Sequence, residues 1–139
     1  MATALLTLVG TFVALYLYLY KIGRIGALAC GTGGCETVQL SAYARFLGIE
    51  VSLIGLVGYV GLFTFTLWAL RPPLAGERWP ATVLTVLSGI GVLFAIYLTW
   101  LELFVIHAIC RWCVGSAVII TAVFVAALLD RRATRLAPR

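Results

Sequence analysis

The stretch VLFAIYLTWLELFVIHAICRWCVGSAVIITAVFVAALL, Val92–Leu129, is two runs of hydrocarbon joined by a handful of residues. A helix needs about 20 apolar residues to cross a bilayer core of about 30 Å. The first run, extended back to Ala81, and the second, from Trp112, each meet that length, and neither carries the polar face of a soluble helix. Their join, His107–Cys113 (HAICRWC), sets a basic residue, an indole and two thiols at the end of the turn. The stretch therefore reads as an antiparallel pair of spanning helices with a cysteine pair where they meet.

Two further apolar runs lie upstream, giving four in all: Ala4–Tyr20, Val51–Leu70, Ala81–Val105 and Trp112–Leu129. Composition agrees. Of 139 residues, 63% are hydrophobic and 11% charged, and the mean hydropathy is +1.12. A soluble domain of this size has too little polar surface to cover so much apolar area. The expected fold is an all-α integral membrane protein, a four-transmembrane-helix bundle forming one domain over 1–139. The net charge of +5 comes from basic residues scattered between apolar runs, without a basic stripe, so no nucleic-acid partner is expected. The first run is read as a span and not as a cleaved signal. ALAC (Ala27–Cys30) faintly resembles a processing site, but a signal has a basic segment ahead of its apolar core. Here Lys21 and Arg24 follow it.

Four spans place both termini on one side, and the 21–50 loop and the 106–111 turn together on the other. All four cysteines, Cys30, Cys35, Cys110 and Cys113, thereby share one membrane face. The terminal side carries Arg71, Arg78, Arg131, Arg132, Arg135 and Arg139; the cysteine side carries Lys21, Arg24, Arg45 and Arg111. This bias predicts cytoplasmic termini in a bacterial-type inner membrane. The cysteines then face an exterior, oxidising compartment where disulfides persist. Small residues at Ser52, Gly55, Gly58 and Gly61, and at Ser88, Gly91 and Ala95, predict helix-packing seams.

In CRWC, the two thiols at i and i+3 share a helix face at the start of the last span. Unpaired amides and the positive end of the dipole there favour thiolate, as a redox-active pair requires. The other pair, in CGTGGC (Cys30–Cys35), is set among glycines that leave the backbone permissive. A movable pair above a fixed pair suggests a disulfide relay. Spacing alone leaves two alternatives open: a four-thiolate zinc site, and two structural disulfides in a non-enzymatic membrane scaffold. SAYARFLG (Ser41–Gly48) is expected to form a short interfacial helix, capped by Ser41 and ended by Gly48, with Ala42, Phe46 and Leu47 as a lid over the bundle mouth. Tyr97, Leu101, Phe104 and Ala108 form one helical face, expected as bundle core, with the lining of a pocket as the alternative. Glu102 and His107 are placed at the outer end of the third span and not assigned to the site.

Taken in order, Cys30 and Cys35, Ser41, FLGIEVSLIGLVGY and LELFVIHAICRWCV resemble a bacterial member of the vitamin K epoxide reductase (VKOR) family. The loop pair precedes the CxxC, unlike the order in DsbB-type oxidases, and four residues separate the loop cysteines, fewer than the family's usual pattern. The resemblance covers about Cys30 through Cys113. It implies a membrane thiol-disulfide oxidoreductase that makes disulfides at the expense of a quinone, menaquinone or ubiquinone. Electrons would enter at Cys30–Cys35 from a separate DsbA-like thioredoxin-fold protein. Cys35 would pass them to Cys110, and Cys113 would face the quinone, with Ser41 supporting the transfer. Trp112, beside both thiols, is expected either against the quinone ring or as an interfacial anchor. No metal is implied.

Overall fold

The computed structural model describes residues 2–24, 45–73, 77–108 and 111–136. Four helices carry it: α1 (Ala2–Lys21), α2 (Val51–Ala69), α3 (Arg78–Leu101) and α4 (Arg111–Leu136). A π-helical turn, Glu102–Ile106, prolongs α3. All four are long and apolar enough to cross a membrane, with spans at Ala2–Lys21, Val51–Ala69, Arg78–Ile106 and Arg111–Ala133. The apolar runs locate each of them. Only α4 departs notably, continuing beyond Leu129 because DRRATRL contains no glycine or proline to stop it.

α1 packs along both α2 and α4, and α4 packs along α3, whereas α2 and α3 meet only sparsely. Around the bundle the order is α2–α1–α4–α3, with a gap where the ring would close. Ala14, Tyr59, Leu62, Leu84, Ile120, Val123 and Ala127 form the centre. Large side chains such as Val9, Phe12, Leu93 and Val118 point outward, as they must when lipid is the solvent.

Four buried hydroxyls inside the helices are satisfied locally. Thr7 donates to Thr3 O (2.8 Å), Thr66 to Leu62 O (2.7 Å), Thr85 to Ala81 O (2.7 Å) and Ser88 to Leu84 O (2.6 Å). A hydroxyl returned to the carbonyl one turn back leaves no polar group naked in hydrocarbon. The Tyr59 ring lies on Gly10, where any side chain would collide with it. Its hydroxyl crosses to α4, donating to Ser116 O at 2.8 Å.

The expected seam on α2 is corrected. Ser52 is buried and Gly55 sits beside Ala14, but Gly58 and Gly61 are exposed and touch no neighbouring helix. A three-residue step turns a helix by about 300°, so the stripe drifts from one face to the opposite one over its length. The seam on α3 does pack: a Cβ at Gly91 would meet Ile120 at 2.8 Å.

The expected interfacial helix is also corrected where it is described; residues 41–44 lie outside the described residues. Arg45–Phe46 (β1) and Ile49–Glu50 (β2) form an antiparallel hairpin, pairing Arg45 with Glu50 and Phe46 with Ile49. Leu47 and Gly48 take φ of 53° and 83°, the two left-handed residues that a type I′ turn demands and a right-handed helix forbids. The Phe46 ring compensates by docking edge-on against Phe94 at 5.5 Å and Tyr97 at 6.2 Å.

Candidate functional site

The gap between α2 and α3 is a cavity of about 530 Å³. Its side walls are apolar: Ile54, Val57 and Leu62 from α2, and Leu87, Ile90, Phe94 and Leu98 from α3. Leu17 of α1 and Ala117 and Ile120 of α4 form the back, and Phe46 of the hairpin reaches its outer end. Polar groups are few: Ser52, Tyr59, Thr99, Glu102, Cys113 and Ser116.

Cys113 is the third residue of α4, within the first turn, whose amides lack intrahelical partners and present the positive end of the helix dipole. It is half-buried, packed near Leu17 with Ile106, Ala108 and Trp112. One end of the site therefore holds a sulfur at the start of a helix, facing an apolar chamber.

The polar groups differ in what they already do. Thr99 donates to Ala95 O at 2.8 Å, and Ser116 is engaged with the Tyr59 hydroxyl. The Ser52 hydroxyl is buried and makes no hydrogen bond. Glu102 is only 3% exposed, and its backbone carbonyl accepts the amides of both His107 and Ala108. His107 itself is exposed and left-handed, with φ of 57°.

At the outer rim, Glu50 ties three elements together. Its carboxylate meets Lys21 Nζ at 3.2 Å from the end of α1 and Arg45 Nε at 3.0 Å from β1, while Glu50 itself leads into α2. Burial works to raise the Glu50 carboxyl, but hydrogen bonds and charge from Arg45 and Lys21 outweigh it and hold the group below its ordinary value.

Of the residues singled out in the sequence, Cys113 lines the cavity. Cys30, Cys35, Ser41 and Cys110 lie outside the described residues. Trp112 packs its ring on Tyr16 at 4.9 Å and is absent from the lining. The face expected from Tyr97, Leu101, Phe104 and Ala108 splits up. Leu101 is buried, Tyr97 and Phe104 are exposed, and Ala108 joins the Leu17 cluster. A π turn bonds i to i+5 and so shifts the register of everything beyond Leu101. Sequence reasoning passed over Phe94, put Phe46 on a helix, grouped Ser52 with a packing seam, and set Glu102 aside. The signal for Glu102 was present: it is the one charged residue within the third apolar run.

The model of the vitamin K epoxide reductase family matches residues 1–128 of this chain.

Proposed function

The chain belongs to the vitamin K epoxide reductase family, and from that premise we propose that it is a quinone-dependent, disulfide-generating oxidoreductase of the cytoplasmic membrane. Family membership and four membrane-length helices support a membrane disulfide oxidoreductase in general. The observation that carries the finer proposal is Cys113 lining an apolar cavity of about 530 Å³. That volume falls within the range of small-molecule sites. Flat rings at Phe46 and Phe94 and the uncommitted Ser52 hydroxyl suit a planar, apolar molecule bearing carbonyl oxygens. A quinone fits that description. When bound, it supplies an acceptor for two electrons and two protons.

The chain's own residues divide the work. Cys30 and Cys35 take electrons from a separate DsbA-like, thioredoxin-fold protein by thiol-disulfide exchange. Cys35 passes them to Cys110, with Ser41 supporting that transfer. Cys113, in the first turn of α4, delivers them into the cavity. The apolar walls would hold the ring of a quinone, and Ser52 would donate to one of its oxygens. The net reaction turns dithiol and quinone into disulfide and quinol. Cytoplasmic termini and exterior cysteines follow from the arginine bias.

The test separates the half-reactions. Cys113→Ala abolishes reduction of menaquinone or ubiquinone by the purified protein, while Cys30–Cys35 still exchanges with a thioredoxin-fold dithiol. Quinone reduction that survives without Cys113 sinks the proposal.

A further inference from the structure

Glu102 is buried to 3% exposure at the end of a membrane-spanning helix, where an apolar residue would cost the fold less. Ionisable groups at such depth face functional paths far more often than lipid. Glu102 shares the cavity with Cys113. It also opens the π-helical turn, a deformation frequent at functional sites, and its carbonyl anchors the turn through the amides of His107 and Ala108.

Reducing a quinone needs protons as well as electrons, and the cavity offers few sources. The Thr99 proton goes to Ala95 O and the Tyr59 proton to Ser116 O. Serine and threonine hydroxyls are in any case far weaker acids than a carboxyl. The other titratable groups at this end, among the described residues, lie elsewhere. Lys21, Arg45 and Glu50 are gathered at the rim, Arg24, Tyr97, His107 and Arg111 are exposed, Tyr16 is stacked on Trp112, and Tyr18 and Tyr20 do not line the cavity. Resting on the quinone reading above, we propose that Glu102 is the proton donor of the quinone half-reaction, a catalytic residue in addition to the cysteines.

Glu102 hands its proton to an oxygen of the quinone as the electron pair leaves the Cys113 thiolate. It is reprotonated by the proton released as the Cys110–Cys113 S–S bond closes. The second proton of the quinol comes from water, which took the Cys113 proton when the thiolate formed. Dithiol plus quinone thus equals disulfide plus quinol, with Glu102 unchanged.

Two measurements on the full chain test this. In the first, Glu102→Gln, which keeps size and hydrogen bonding but carries no transferable acid proton, slows kcat with a soluble ubiquinone analogue by at least about a hundredfold. Glu102→Asp recovers part of the loss, and exchange with a small disulfide serves as the internal reference. In the second, without quinone, the infrared difference spectrum between unlabelled and ¹³C-glutamate-labelled protein in the dithiol form shows a carboxylic-acid C=O band. The band vanishes in Glu102→Gln. Wild-type protein that reduces no quinone overturns the underlying reading, and the donor role with it. An active wild type matched within about twofold by Glu102→Gln, or a wild type whose difference spectrum lacks the band, overturns the donor role alone.

Discussion

Ser52 is the one buried hydroxyl among the described residues that makes no hydrogen bond, and its position explains why. Thr7, Thr66, Thr85 and Ser88 each return their proton to a carbonyl four residues back. Ser52 is the second residue of α2, and four residues back from it lies Gly48, in the hairpin turn. A buried polar group without a partner costs about 1–3 kcal/mol, so a ligand oxygen is its natural acceptor. Ser52→Ala is expected to raise the KM for quinone about fivefold, the equivalent of roughly 1 kcal/mol. The unfolding temperature in detergent stays level or rises, because an unsatisfied donor has been removed. Equal KM values for the two proteins would deny Ser52 a part in binding. In the sequence Ser52 stood in line with three glycines and was read with them. What sets it apart is its place in the first turn, and that depends on where the helix starts to within a residue.

At the scale of elements, hydropathy located the spans because lipid selects for apolar length, and length is written directly in composition. Two shorter elements were not legible in that way. Ser41–Gly48 has the caps of a helix, but Leu47 and Gly48 turn left-handed so that Phe46 can reach Phe94 and Glu50 can meet Arg45. The ring contact joins residues far apart in sequence, which no local signal records. The π turn is hidden for a different reason: it widens the helix at Glu102–Ile106 without changing which residues are apolar, so the face drawn through Tyr97 and Phe104 missed the cavity. The hairpin also carries a pH dependence. Glu50 has its carboxyl held below the ordinary value of 4.5, so its ties to Lys21 and Arg45 contribute in full above that value. They are lost as pH falls through the lower value of the folded protein. Unfolding temperatures of wild type and Glu50→Gln should therefore differ near neutrality and converge in acid, once the pH is below the lowered value of the folded protein. A difference that persists in acid would mean that the clamp does not depend on the charge of Glu50.

For the whole molecule, the bundle is an incomplete ring: α2–α1–α4–α3 is packed throughout, and the sparse α2–α3 contact leaves open the chamber that Cys113 faces. Gly58 lies on that open wall, exposed, and a Cβ there would meet nothing within 4 Å. Its lack of a side chain serves neither a turn nor a close helix approach, and glycine within a helix costs roughly 1 kcal/mol against alanine. The cavity is what that cost preserves. Gly58→Leu adds a strong helix former and apolar bulk at a position where no packed neighbour must move. The unfolding temperature of the ligand-free protein should stay level or rise by a few degrees. The same side chain fills part of the chamber, so a quinone should bind more weakly. A bound ligand stabilises a protein in proportion to its affinity, so the rise in unfolding temperature on adding a ubiquinone analogue should shrink or vanish in the variant, and the KM should climb with it. Stability and ligand response then move in opposite directions. A Gly58→Leu protein that unfolds earlier without ligand would show α2 to be packed where the structure leaves it open, and one that keeps the full ligand-induced shift would place the quinone outside this cavity.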